Sequence, residues 1–331
     1  MALLNPADLL PASSADARER FEERYLASQA SLLAQPPGFV AEYGERGETA
    51  SLTTKYPMAF LGLKYEETIA EGGRFKTIGE KECELTVAQY DEGVEIEALK
   101  VVQDAWTARR WFDAAADLPR AEEAFVARLI AAALVANTAT CGWDDLAVFH
   151  DSHLANPKDP DKGTFDNLQA SAKDVVSLAN IEAEITLMLE VLDLNGDALG
   201  VSPDTIFVPR AKWQGLRNLL KQDFVPNSAG TATMRNPYNE TLLNVVRIDP
   251  LTDVNDWYLL DSALIKRGLH PWVVAKLTAY KDAPLFNALS MRWYLEDSDR
   301  FKDTGKIAMS SRVYYGHKFL YPHAIRKITG A

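Results

Sequence analysis

"SLANIEAEITLMLEVLDLNGDALGVSPDTIFVPR" runs from Ser177 to Arg210, and its two ends have different periods. Leu178, Ile181, Ile185, Met188 and Leu192 recur at spacings of 3, 4, 3 and 4, the single apolar face of a helix. Thr205–Arg210, "TIFVPR", is a short unbroken apolar run, which reads as a buried strand. Asp193–Gly200, "DLNGDALG", gathers Asp, Asn and Gly between them, as a turn does.

The pattern repeats downstream. "AKWQGLRNLLKQ" (211–222) predicts a second helix, and "NSAGTATMRNPYNE" (227–240) a long polar loop. "LLNVVRID" (242–249) and "WYLLD" (257–261) predict strands. Alternation of helix and strand predicts an α/β unit with a mixed sheet.

Upstream, "DLPRAEEAFVARLIAAALVAN" (117–137) is the strongest helix pattern. Asp117 is placed to cap it, Pro119 suits the first turn, and Glu122 and Glu123 suit its positive end. Phe125, Leu129 and Ala133 form one line and Val126, Ile130 and Leu134 the next, so much of this helix is expected to be buried. It would span roughly 30 Å.

Residues 46–100 read as a hairpin. "RFKTI" (74–78) and "ECELTVAQY" (82–90) flank a turn at Gly79-Glu80-Lys81, and Cys83, Leu85 and Val87 alternate with polar residues. Few large apolar side chains are present, so the hairpin is expected to lean on a neighbour. Before it, "SADARERFEERYLASQASLLA" (14–34) predicts a charged helix that packs on another subunit or orders late, ended by "QPPGF". The tail has strand composition in "IAMSSRVYYGHKFL" (307–320) and ends on "YPHAIRKITG" (321–330).

Bulk properties narrow the function. The chain has 331 residues, 35 Lys and Arg against 47 Asp and Glu, and a formal net charge of -12. A protein of that charge repels nucleic acid as a whole, although "HAIRKITG" suggests a local basic surface. Two cysteines, Cys83 and Cys141, exclude a disulfide framework and a cysteine-rich zinc site. Reduced thiols fit synthesis in the cytoplasm. No signal peptide is apparent, and the most apolar window, Ala124–Ala136, is too short to span a bilayer. No membrane partner is expected.

The search for chemistry turns on "FHDSHLANPKDPDKGTFDNLQ" (149–169). His150 and His153 are three apart, with Asp151 between them. Zinc proteases place two histidines four apart on a helix with a Glu base, and Pro157 and Pro160 forbid a helix here. A structural loop is the expected reading. A metal-dependent hydrolase using His150, Asp151 and His153 is the alternative to be tested. Asp193, Asn195 and Asp197 match the first three ligands of a calcium loop, but glycine is missing at the sixth position and glutamate at the twelfth, so a turn is expected. Nucleotide-binding and nucleophile-elbow motifs are absent. The expectation is no catalytic residue, no cofactor and no metal. Arm and hairpin look unable to bury themselves, which suits a subunit built for assembly.

Several segments in order then carry a resemblance. They are "WDDLAVFHDSHLANPKDPDKGTFDNLQ", "LDLNGDALGVSPDTIFVPRAKWQGLRNLL", "NVVRIDPLTDVNDWYLLD" and "VYYGHKFLYPHAIRKI". Phe149, His153, Gly163, Thr164, Asn167 and Leu168 fit one motif, Pro203, Val208 and Pro209 a second, and Trp257, Tyr258 and Leu259 a third. Over about residues 60–330 the chain resembles the major capsid proteins of tailed bacteriophages, in particular the Mu-like major head subunits.

The resemblance implies an α+β Hong Kong 97-like capsid fold. It divides the chain into an N-terminal arm (1–45), an E-loop (46–100), a peripheral domain (101–169 and 286–331) with a spine helix (117–137), and an axial domain (170–285). It implies a subunit that assembles with itself into hexamers and pentamers of an icosahedral shell. That shell would enclose double-stranded DNA by loose non-specific contact. Scaffolding, portal and decoration proteins are the implied partners. The implied location is the virion, after assembly in the host cytoplasm. A nanocompartment shell of encapsulin type is the alternative within the same fold. Lys64 and Lys76 lie in the E-loop region, but nothing in the sequence marks either for cross-linking.

Overall fold

The computed structural model describes residues 14–33, 38–60, 79–103, 105–226, 233–238, 243–278 and 291–330. "RFKTI", Lys64, Lys76 and most of 227–240 lie outside them. Among the described residues the chain is α+β, with two five-stranded sheets.

The first sheet grows from "TIFVPR". Strand Thr205–Pro209 is buried throughout and pairs in parallel with Asn244–Ile248. Parallel strands need a crossover, and helix Arg210–Leu220 supplies it. On its other edge Thr205–Pro209 pairs antiparallel with Trp257–Leu260. That strand pairs antiparallel with Ile325–Ile328, which pairs in parallel with Leu168–Gln169. The expected mixed sheet is present, and its fourth strand comes from the tail.

The expected polar loop at 227–240 is not all loop. Thr233–Arg235 is a strand, paired antiparallel with Phe224–Pro226. Helix Leu178–Met188 carries the predicted apolar face, with Ile181 and Met188 buried; Leu192 lies beyond its end and bridges to Ala198.

The second sheet is organised by the tail strand Lys306–Phe319, 14 residues long. One edge pairs with Trp272–Leu277 and, further along, with Met291–Tyr294. The other edge pairs with Ala88–Glu97 over ten residues. Glu45–Thr49 adds in parallel to Trp272–Leu277. "ECELTVAQY" is therefore two strands divided at Val87, not one.

The long helix runs Ala105–Ala136, starting well before the expected Asp117. Pro119 is inside it, and Asp117 pairs with Arg120 instead of capping. Glu122 and Glu123 are likewise not at a helix start. Glu123 accepts both guanidinium N–H groups of Arg46 at 3.0 and 2.7 Å, while Glu122 takes the Lys276 ammonium and the Tyr315 hydroxyl. Two adjacent helix carboxylates thus bind three strands of the second sheet. The start was misjudged because Asp-x-Pro imitates an N-terminus, while packing carries the helix through proline. Val126, Ile130 and Leu134 are buried in the main core as expected, and Ala131 joins them.

The N-terminal helix Ser14–Leu33 packs on its own chain along one thin apolar stripe. Phe21 is 0% exposed, edge-on to Trp293 at 5.2 Å, and clusters with Tyr25, Leu118, Ile307 and Met309. A thin stripe suffices because each fully buried large apolar side chain contributes roughly 1.5–3 kcal/mol.

The hairpin also leans on its own chain. Gly79–Thr86 pairs antiparallel with Thr53–Phe60, so Gly79-Glu80-Lys81 is strand and not turn. Met58, Cys83, Leu85 and Val87 are buried in a second core with Cys141, Trp143 and Leu320. Close approach is allowed at Gly316, where a Cβ would stand 2.6 Å from both Leu85 Cδ2 and the Thr86 carbonyl oxygen.

Candidate functional site: the histidine loop and the exposed faces

The loop 149–169 begins where the long helix stops. Asn137 ends that helix in the left-handed region, at φ 49°. Its side chain then clasps Phe149: the Phe149 N–H donates to Asn137 Oδ1 at 2.9 Å, and Asn137 Nδ2 donates to the Phe149 carbonyl at 2.8 Å. Asn167 closes the other end. Its Oδ1 accepts from the His150 N–H at 2.8 Å, and its Nδ2 faces the carbonyls of Val148, Pro322 and Ile325 at 3.0, 3.3 and 3.4 Å. Helix end, loop and tail are joined through two asparagines.

The histidines serve this framework. His153 is completely buried, with Nδ1 2.8 Å from Asp144 Oδ2 and Nε2 3.2 Å from the Val148 carbonyl. Both ring nitrogens thus face groups of the protein itself, a carboxylate and a carbonyl. Asp144 is pushed up by burial, but bonds from His153, Leu154 and Leu146 reverse this and hold it below the usual carboxylate range. His150 accepts from the Ser152 N–H at 3.1 Å. Asp151 is exposed and accepts from the Ser152 hydroxyl at 3.1 Å. Among the described residues no three His, Cys, Asp or Glu side chains stand together as a metal site. The geometry needed by the hydrolase alternative is not assembled here.

A third histidine joins the cluster unannounced by the motif. His323 lies between Trp143 and Phe165, at ring distances of 4.4 and 4.7 Å. Burial, with His153 adding to it, holds its pKa down to about 3. Its Nδ1 meets no partner.

The tail cations are inside the protein, not on its surface. Arg326 is 1% exposed; its Nε donates to Glu184 Oε2 at 2.8 Å and its Nη1 to the Asp166 carbonyl at 2.8 Å. Lys173 is the second cation on Glu184. Lys327 pairs with Asp256 at 2.9 Å and donates to the carbonyls of Val135 and Leu134 at the end of the long helix. The expected basic surface at "HAIRKITG" is thus a set of buried locks, since strand Ile325–Ile328 is interior to its sheet. Glu184 escaped the sequence reading, but a signal existed. It lies three residues after Ile181 and four before Met188, on the apolar stripe itself.

The calcium-like turn has its ligands in use. Asp193 Oδ1 accepts from the N–H groups of Asn195 and Asp197 at 2.8 and 3.0 Å. Gly196 sits at φ 84° against the Lys162 carbonyl, where a side chain has no room. No helix among the described residues is long and apolar enough to cross a membrane.

These arrangements are supports that tie the loop, the long helix and the tail together. A profile of the family described as phage capsid protein matches residues 84–328. The chain belongs to the phage capsid protein family. Its work is structural, as a shell protein and virion component, not enzymatic.

No curated protein matches the sequence. Among solved structures, a chain of the procapsid of bacteriophage JBD30 is 13% identical, with 96% of this chain and 75% of that chain covered and a TM-score of 0.49. The capsid of cyanophage P-SCSP1u gives 10% identity, 90% and 89% coverage and a TM-score of 0.49. The capsid of an empty GTA particle gives 12%, 92% and 98%, and 0.49. Family membership rests on the profile match.

Proposed function

We propose that this chain is the major head subunit of a tailed phage, of the Mu-like branch, with the Hong Kong 97 plan. Copies form hexamers and pentamers of an icosahedral shell that encloses double-stranded DNA. The observation that carries this reading is the family match, which extends from the hairpin strand to the last strand of the tail.

In this reading 1–45 is the arm, 46–100 the E-loop, 101–169 with 286–331 the peripheral domain, and 170–285 the axial domain. The ten-residue pairing of Ala88–Glu97 with the tail strand supports rooting the E-loop in the peripheral sheet. Phe224, 66% exposed at the end of the short strand pair, fits a surface that a neighbouring subunit covers. Ring-closing contacts between unlike faces build such capsomers. Scaffolding, portal and decoration proteins would join during assembly in the host cytoplasm.

The test is negative-stain electron microscopy of the purified chain with light scattering for mass. Shells, tubes or capsomer rings are expected, and Phe224→Asp should shift them toward free subunits. A monomer or dimer under all salt conditions would overturn the reading, and a small closed shell would favour the nanocompartment instead.

A further inference from the structure

In a chain of net charge -12, helix Arg210–Leu220 contains three cations, Arg210, Lys212 and Arg217, with Lys221 at its C-cap, and no acidic residue. Helical geometry sorts them. At about 100° per residue, Arg210, Gln214, Arg217 and Lys221 fall on one line along the helix, and Asn218 lies beside it. All five are exposed. Lys212 is on another side, where it pairs with Asp174 at 3.2 Å. The buried side is Leu216 and Leu220.

The line is held in place. The Arg217 guanidinium stands 5.0 Å from the Trp213 ring, and the Arg247 guanidinium, on the neighbouring strand Asn244–Ile248, stands 5.5 Å from the same ring. An arginine stacked on an indole keeps the edge of its fork free to meet a planar or tetrahedral oxyanion. Asp249 pairs with Arg247 at 2.8 Å and Asp174 with Lys212, and Asp223 follows Lys221 in the sequence. Among the described residues no carboxylate pairs with Arg210, Arg217 or Lys221.

We propose that this helix face is a contact for the phosphate backbone of double-stranded DNA. The inference rests on the reading of the chain as a shell subunit that encloses DNA. At a rise of 1.5 Å per residue Arg210 and Lys221 are about 16 Å apart along the helix, long enough to meet more than one phosphate of the backbone. Arg210, Arg217 and Lys221 each meet a phosphate, and Gln214 and Asn218 supply neutral N–H donors between them. The contact proposed is with the backbone and is independent of sequence. With the remainder of the chain repelling DNA, one such stripe per subunit gives weak, exchangeable attachment.

The test is fluorescence anisotropy of a short labelled duplex of random sequence, titrated with the full chain over a range of salt, with electron microscopy of the same samples. Wild type should bind with a slope of log affinity against log salt of roughly 0.9 per phosphate met. The triple variant Arg210→Gln, Arg217→Gln, Lys221→Gln should lose about tenfold or more in affinity and roughly 0.9 of slope per cation removed. A control variant, Arg300→Gln, Lys302→Gln, Lys306→Gln, removes the same charge from cations paired with Glu95 and Asp299 and should keep the wild-type slope. Equal behaviour of the two variants, or no binding by wild type, overturns the inference. So does a helix variant that keeps its DNA affinity but no longer assembles, which would assign the face to a second copy. Absence of particles from wild type counts against the shell reading alone and is read separately by microscopy.

Discussion

Arg326 Nε lies 2.8 Å from Glu184 Oε2, with both side chains at 1% exposure or less. The pair joins the last strand of the first sheet to helix Leu178–Met188, and Lys173 and Asp166 complete it. Removing one partner of such a pair leaves the other charge buried and unpaired, a cost of about 3–5 kcal/mol. Arg326→Met is therefore expected to lower the denaturation midpoint sharply. Arg326→Met with Glu184→Met should recover much of that loss. A double variant as unstable as the sum of the two single ones would show that the ions do not act as a pair.

His323 gives the fold an acid-sensitive point. The unfolded ring binds a proton near its ordinary value of about 6.5. The folded ring does so only near pH 3. Between those values the unfolded chain holds the extra proton, so stability falls as pH drops, by up to roughly 1.4 kcal/mol per pH unit. Asp144, held low by its bonds, contributes stability above the ordinary carboxylate range and loses it as pH falls through its depressed value. His323→Leu should flatten the dependence of urea midpoint on pH across the mildly acidic range. His317, also lowered by burial and by Lys318, leaves part of the slope in place. An unchanged slope in the variant would refute the assignment.

Asn167 faces three carbonyls through its amide and one N–H through its oxygen. Asn167→Ala strands these buried groups, at about 1–3 kcal/mol for each one left unsatisfied. Asn167→Asp is expected to be worse despite its closer shape, because an ionised carboxylate cannot donate and here meets carbonyl oxygens. Thermal unfolding of the two variants tests the order; an aspartate variant more stable than the alanine one would contradict it.

Gly316→Ala should loosen the hairpin without unfolding the chain. The new methyl meets the Thr86 carbonyl, which is backbone and cannot turn aside. Overpacking of this kind costs about 1–3 kcal/mol. Limited proteolysis should cut the variant faster in 46–100 than in the long helix. Unchanged cleavage would mean that the seam yields elsewhere.

Helix Leu178–Met188 and strand Thr205–Pro209 were legible in the sequence because period and apolar run are local properties, and the mixed sheet followed from their alternation. The loop's prolines and the lack of catalytic motifs were enough to turn attention from a reaction centre toward a structural role. Tertiary packing decided the rest. It extended the long helix through Pro119, turned Gly79-Glu80-Lys81 into strand, and placed Phe21 in the chain's own core. It also took Arg326 and Lys327, which composition suggested for a surface, and buried them against Glu184 and Asp256. The physical reason is one of range. A residue's period is written in its neighbours, whereas its burial and its ion-pair partner come from segments distant in the chain, 142 residues away for Arg326 and Glu184, and only the folded chain brings them together.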